Sequence, residues 1–244
     1  MKEQAQPSRR SFLAALPAVT AGLALPPARA EQKTLPRWGM LIDTRRCIGC
    51  QACTIGCSME NALPVGQFRT TVATYAVTTV DGRSGVSMIP RTCNHCEEPP
   101  CIPVCPVGAT FKRDDGMVLV DGDKCVGCAY CVQACPYEAR FVNHQTGKAD
   151  KCTFCSHRVD AGLLPACVET CVGGARVFGD LGDPGSEISR RMKAAGGRTS
   201  VLKPEAGTKP NVFYIGLDDD LDGRVQGESA AEMMWRPSQP THGA

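Results

Sequence analysis

The chain is poor in aromatic side chains, which make up 5% of its 244 residues. Little large apolar area is therefore available to fill a hydrocarbon core, and burial alone is a thin basis for folding at this length. A surplus of one charge is also lacking. The 27 Lys and Arg nearly cancel the 25 Asp and Glu, and a formal net charge of +2 offers no footprint for nucleic acid. Long apolar runs are missing: the one from Leu13 to Leu25 is broken by Pro17 and falls short of the roughly 20 residues a membrane span needs. No C-x-x-C pair is followed directly by His, which excludes c-type haem attachment.

What the chain has is cysteine. Its 16 cysteines fall into four groups with none left over: Cys47, Cys50, Cys53, Cys57; Cys93, Cys96, Cys101, Cys105; Cys125, Cys128, Cys131, Cys135; and Cys152, Cys155, Cys167, Cys171. Each group opens with C-x2-C and closes with C-x3-C. Four thiolates are the ligand set of one 4Fe–4S cubane, so the chain has ligands for four clusters, with all sixteen cysteines bound to iron. Two other uses of cysteine compete. Disulfides suit an exported chain with an even count, but they tie distant segments, whereas these thiols lie two residues apart. Zinc ribbons separate two C-x2-C knuckles, which only the fourth motif does, and that motif alone could be a zinc site.

Motif one (Cys47-Ile-Gly-Cys50-Gln-Ala-Cys53-Thr-Ile-Gly-Cys57) and motif three (Cys125 to Cys135) both read C-x2-C-x2-C-x3-C, the bacterial ferredoxin run. Gly49 and Gly127 stand where a side chain would crowd the site or a positive φ is required. The x3 gap can start a helix that leads the last thiolate away to a neighbouring cluster. Motif two stretches its middle gap to Glu97-Glu98-Pro99-Pro100, where the prolines stiffen the loop.

Between the motifs the chain reads as short strands and turns. Thr110–Arg113 and Met117–Val120 flank Asp114-Asp115-Gly116 as one hairpin; Ala139–Val142 and Lys148–Asp150 form a second. Ser186 to Ala195 reads as a helix, capped by Ser186 and stopped by Gly196. Asn211 to Ile215 reads as a strand. The expected fold is α+β and loop-rich, with two ferredoxin-like units of two clusters each. Motifs two and three make the inner unit, residues 91–151. Motifs one and four make the outer unit from sequence-distant pieces, residues 38–66 and 152–216. Residues 67–90 are a β-rich insertion around Asp81-Gly82, and 217–244 a flexible tail in which Met233, Met234 and Trp235 could dock.

A basic residue precedes each motif: Arg46, Arg91, Lys124 and Lys151. Cations beside negatively charged clusters raise reduction potentials; solvated surface side chains are the competing reading. His95 lies inside motif two, as a tuning group or a packed loop residue. His144 and His157 show no ligand pattern. At the N-terminus, Ser8-Arg9-Arg10-Ser11-Phe12-Leu13 matches the twin-arginine consensus, and Ala28-Arg29-Ala30 supplies a cleavage site before Glu31. Residues 1–30 are thus expected to be an export signal, placing the protein on the periplasmic side of the cytoplasmic membrane, with membrane contact only through a partner.

These motifs, with Ile42–Cys53, Gln67–Val72, Cys125–Pro136, Ala149–Cys155 and Ala161–Arg176, resemble the four-cluster electron-transfer subunits of the complex iron–sulfur molybdoenzyme family. The resemblance covers residues 38–216. Members serve dimethyl sulfoxide, polysulfide, arsenate, nitrate and tetrathionate reductases, and the segments between the motifs point to the tetrathionate branch. The resemblance implies a cluster on Cys47, Cys50, Cys53 and Cys171, and a second on Cys57, Cys152, Cys155 and Cys167. It implies a third on Cys105, Cys125, Cys128 and Cys131, and a fourth on Cys93, Cys96, Cys101 and Cys135. The first would lie nearest a molybdopterin catalytic subunit and the fourth nearest a quinol-oxidising integral membrane subunit. The chain would carry electrons in anaerobic respiration and hold no catalytic residues of its own. A free periplasmic polyferredoxin, or a purely structural metalloprotein, is the alternative.

Overall fold

A computed structural model describes residues 35–78 and 84–217. The expected export signal, the Asp81-Gly82 turn and the tail with Met233, Met234 and Trp235 lie outside the described residues. The sheet nearest the centre is built on β1 (Trp38–Asp43). It pairs antiparallel with β8 (Arg176–Asp180) and parallel with β9 (Val212–Ile215). β1 is buried on both faces, and strand alternation divides its side chains between two cores. Leu41, with Val177 and Ile215, packs on Ile188 of helix α5 (Glu187–Ala194). Met40 and Ile42, with Phe178, Val212 and Tyr214, face the other way, into a core shared with Cys53, Cys93, Cys152 and Cys167. The thiol groups are therefore part of the core itself, which answers the shortage of aromatic area.

The expected elements are present. Strands β2 (Thr70–Thr78) and β3 (Ser84–Thr92) form one long antiparallel ribbon, in register from Thr70↔Thr92 to Thr78↔Ser84. Its base, at Val72 and Ile89, enters the cysteine-bearing core. Pro90 of β3 cannot donate to a ladder, but its carbonyl accepts the Tyr214 hydroxyl at 2.9 Å. Both short hairpins form: β4 (Thr110–Lys112) with β5 (Val118–Val120), and β6 (Arg140–Val142) with β7 (Ala149–Lys151). The second turn is held by Asn143, whose Oδ1 accepts from the amides of Gln145 at 3.0 Å and Thr146 at 3.2 Å. At α5, the Ser186 hydroxyl accepts from the Ser189 amide at 3.2 Å, as an N-cap should.

The remaining helices are short and each carries or follows cysteines: α1 (Ala52–Glu60), α2 (Tyr130–Gln133), α3 (Ser156–Val159) and α4 (Ala166–Glu169). α1, α2 and α3 each begin just after a residue in the left-handed region: Gln51, Ala129 and Cys155. The backbone curls around its first thiols and then straightens into a helix that carries the chain on. Among the described residues no helix is long and apolar enough to cross a membrane.

Candidate metal centres

All sixteen cysteines are free thiols, so the disulfide reading is not realised. They gather across the motifs. Cys47, Cys50 and Cys53 of motif one and Cys171 of motif four line a single cavity. Cys93, Cys96 and Cys101 of motif two and Cys135 of motif three line another. Cys57 keeps different company from the rest of motif one. Burial pushes its thiol far up, and Cys152, Cys167 and Cys155 push it further. Asn61 bridges this group, with Nδ2 at 3.6 Å from Cys57 Sγ and 3.9 Å from Cys155 Sγ. Helix α1 explains the divergence: Cys53 and Cys57 are one turn apart, about 6 Å along the axis. Cys105, Cys125 and Cys131 share a second apolar cluster with Cys101, while Cys128 is exposed.

Four of the thiols accept from backbone amides. The Ala109 amide donates to Cys105 Sγ and the Ala175 amide to Cys171 Sγ, both at 3.2 Å. The Ala149 amide donates to Cys125 Sγ at 3.3 Å and the Phe154 amide to Cys152 Sγ at 3.4 Å. For Cys105, burial works upward, but the backbone donors outweigh it and draw the thiol down. At five further thiols burial wins and neighbouring thiols add to it. Cys96 is pushed up to about 11 and Cys167 to about 12, and Cys47, Cys101 and Cys152 are also raised. Thiols this crowded give up their protons only to a positive charge placed among them, so metal loading must release protons.

The residues present fit a 4Fe–4S cubane. Among the described residues, five buried polar atoms have no partner: Ser58 Oγ, Asn94 Nδ2 and Oδ1, His95 Nε2 and Arg176 Nε. Ser58 follows Cys57, Asn94 and His95 sit between Cys93 and Cys96, and Arg176 lines the Cys47 cavity. Native interiors pair such groups, and cluster sulfur is an acceptor for orphan donors. Among the described residues no group of three or more His, Cys, Asp or Glu converges on a point fit for one metal ion. A zinc site needs sulfurs about 2.3 Å from one centre, whereas a cubane holds them around a larger volume.

Gly49 and Gly127 both have positive φ, 68° and 71°. A side chain there would strike the protein itself: the Met88 sulfur, 2.9 Å from a Cβ at 49, and the Gly147 carbonyl at 127. The four cations that precede the motifs separate. Lys124 is an exposed side chain paired with Asp121 at 3.3 Å, and Arg91 donates to the Tyr137 carbonyl at 3.3 Å. Arg46 edges the Cys47 cavity. Lys151 is fully enclosed, donating through Nζ to the carbonyls of Val118 and, at 2.7 Å, Cys152. His95 is a packed residue. It stacks on Phe154 at 3.6 Å, and its Nδ1 accepts from the Val118 amide at 3.1 Å. Burial first, then the Lys151 charge, holds it well below the usual histidine range. His157 pairs with Glu60 at 2.8 Å, and His144 is exposed, its backbone amide donating to Gln67 at 3.1 Å.

Two side chains not singled out from the sequence face the thiols. Arg140 and Arg176 are 4% and 3% exposed. Arg140 Nη2 donates to Cys101 Sγ at 3.1 Å, and Arg176 Nη1 lies 4.0 Å from Cys167 Sγ. The signal for them is a short repeat: Cys135-Pro-Tyr-Glu-Ala-Arg140 and Cys171-Val-Gly-Gly-Ala-Arg176 both end in A-R five residues after the motif's last cysteine. The resemblance puts the Cys93 group at the end of the row; Cys93 packs in the same core as Cys152, and Cys101 shares the second apolar cluster with Cys105 and Cys125.

Residues 85–181 and 46–109 each match a family model described as a 4Fe-4S dicluster domain. The chain is 56% identical to the B subunit of tetrathionate reductase from Salmonella typhimurium, over 90% of this chain and 94% of that one. It is 43% identical to the putative iron-sulfur B subunit of a dimethyl sulfoxide reductase from Halobacterium salinarum (74% of this chain, 79% of that one). It is 41% identical to the B chain of polysulfide reductase from Wolinella succinogenes (73% and 94%). With sixteen thiols arranged in this way and relatives matched over most of their length, this protein belongs to the four-cluster iron–sulfur electron-transfer subunits of the complex iron–sulfur molybdoenzyme family.

Proposed function

We propose that this chain relays electrons from a quinol-oxidising integral membrane subunit to a molybdopterin catalytic subunit that reduces tetrathionate, in anaerobic respiration. Bound 4Fe–4S clusters supply one-electron carriers. The chain's own residues fix their order and close them from water. We assign the ligands as Cys47, Cys50, Cys53, Cys171; Cys57, Cys152, Cys155, Cys167; Cys93, Cys96, Cys101, Cys135; and Cys105, Cys125, Cys128, Cys131, in that order along the row. The proposed outer unit, residues 38–66 with 152–216, is supported by the pairing of β1 with β8 and β9. Residues 91–151 form the inner unit and 67–90 the insertion. Export by the twin-arginine route to the periplasmic side is part of the same reading and rests on residues 8–13 and 28–30.

The observation that carries the relay is where the row reaches solvent. Only Cys50 and Cys128 are exposed, and they belong to the first and last groups of the row. Exposed apolar side chains lie close to each in sequence: Ile48 and Ile55 near Cys50, Val126 and Tyr130 near Cys128. Apolar surface gathered at two electron ports is the form expected of two docking faces. Anaerobic purification of the tagged chain from its host tests this. Co-purification of a molybdopterin protein and a polytopic membrane protein, with viologen-linked tetrathionate reduction only in the complex, is the expected result. A stable monomer with no such partners would overturn the reading in favour of a free polyferredoxin.

A further inference from the structure

The two buried arginines occupy equivalent places in the two halves of the row. Each begins a strand, β6 or β8, five residues after the last cysteine of its motif. Each is tied to a threonine hydroxyl: Arg140 Nη1 to Thr110 Oγ1 at 3.2 Å, Arg176 Nη2 to Thr70 Oγ1 at 2.7 Å. Neither forms an ion pair with a carboxylate among the described residues. Their counter-charges are thiols, and in each case the thiols come from two different cysteine groups. Arg140 donates to Cys101 Sγ at 3.1 Å, and the Cys131 thiol is among the groups that hold its charge. Arg176 lines a cavity with Cys53 and lies 4.0 Å from Cys167 Sγ. Burial works against both charges, and the thiolates outweigh it.

We infer that Arg140 and Arg176 are redox-positioning residues, each shared by two adjacent clusters and each holding up the reduction potential of that pair. The inference rests on the cluster assignment proposed above. An electron added to either cluster of a pair increases negative charge beside one guanidinium, in a space where water does not screen it. Arg176 acts on the clusters of Cys47 and Cys57, Arg140 on those of Cys93 and Cys105. The division makes the effect local to a half of the row, unlike a surface charge felt weakly by all four.

The test is an EPR-monitored redox titration of the intact complex, with iron content measured alongside. Arg176→Gln is expected to lower the midpoints of the Cys47 and Cys57 clusters by at least a tenfold change in reduction equilibrium, about 59 mV for one electron. The other two midpoints should stay in place, and Arg140→Gln should give the complementary pattern. Arg176→Lys keeps the charge and should recover most of the shift. Unchanged midpoints with clusters present, equal shifts in all four, or a lysine variant no better than glutamine would each overturn the inference. If the arginine variants do not assemble, Thr70→Val and Thr110→Val untie the same guanidiniums and should lower the same pairs; no shift there also overturns it. A wild-type chain without four clusters would instead sink the functional reading.

Discussion

Gly127 lies so close beneath the carbonyl oxygen of Gly147 that a Cβ on Gly127 would collide with it. The contact joins the loop that carries Cys125 and Cys128 to the turn between β6 and β7, and it ties motif three to its hairpin. Gly127→Ala should therefore cost about 1–3 kcal/mol from its positive φ alone, with the collision adding to that. The measurable result is loss of iron and EPR signal from the Cys105 group, while the Cys47 group keeps its signal. Normal loading of all four sites would refute the packing argument.

Cys57→Ala separates the crossed grouping from one in which each motif holds its own cluster. Cys57 sits with Cys152, Cys155 and Cys167 rather than with Cys47. The substitution should convert or remove the cluster of that group and spare the one on Cys47, Cys50, Cys53 and Cys171. EPR of the reduced protein reads this directly, and selective loss of the Cys47 signal would sink the assignment.

Removing iron should unfold much of the chain. Cys53, Cys93, Cys152 and Cys167 stand in the same core as Met40, Ile42, Phe178 and Tyr214, so stripping the clusters opens the centre of the protein. Orphan donors such as Asn94 Nδ2 would then be buried with nothing to bind. Anaerobic chelation followed by far-ultraviolet circular dichroism should show a large loss of ordered signal. An unchanged spectrum would mean that the hydrocarbon core suffices.

Arg113 grips Asp160 with both arms, at 2.9 and 2.8 Å, and so ties the β4–β5 turn to the end of α3. The Arg113 hydrogen bond holds the Asp160 carboxyl below its ordinary 3.8. A carboxylate lowered on folding contributes stability above its unfolded value and loses it as pH falls through the folded one. The pair is half exposed, so its contribution is about 0.2–1 kcal/mol. Asp160→Asn should lower the melting temperature slightly at neutral pH. The gap from wild type should close as pH falls through the unfolded carboxyl value of about 3.9 and on through the lower folded one. A gap independent of pH would exclude the ion pair.

Much of this was legible in the chain itself. The Asp114-Asp115-Gly116 and Gln145-Thr146-Gly147 turns, the Ser186 cap and the C-x3-C helix starts are local signals, and the local backbone obeyed them. The two arginines were not, although the same A-R pair follows two of the motifs at one spacing. An arginine after a motif is indistinguishable in sequence from one facing water, and only the fold turns it toward two sets of thiols. The same holds for Lys151 and Lys124, both directly before a motif, one enclosed and the other in solvent.

The identity of the cofactor follows from ligand count and spacing, because a thiolate's chemistry and the length of two or three residues of backbone are local properties. Which thiols share a centre, which groups are neighbours and which cations lie between them depend on pairings such as β1 with β9, whose partners Met40 and Val212 stand at opposite ends of the described chain. Those pairings are chosen by burying apolar faces together, and that choice involves the whole molecule at once.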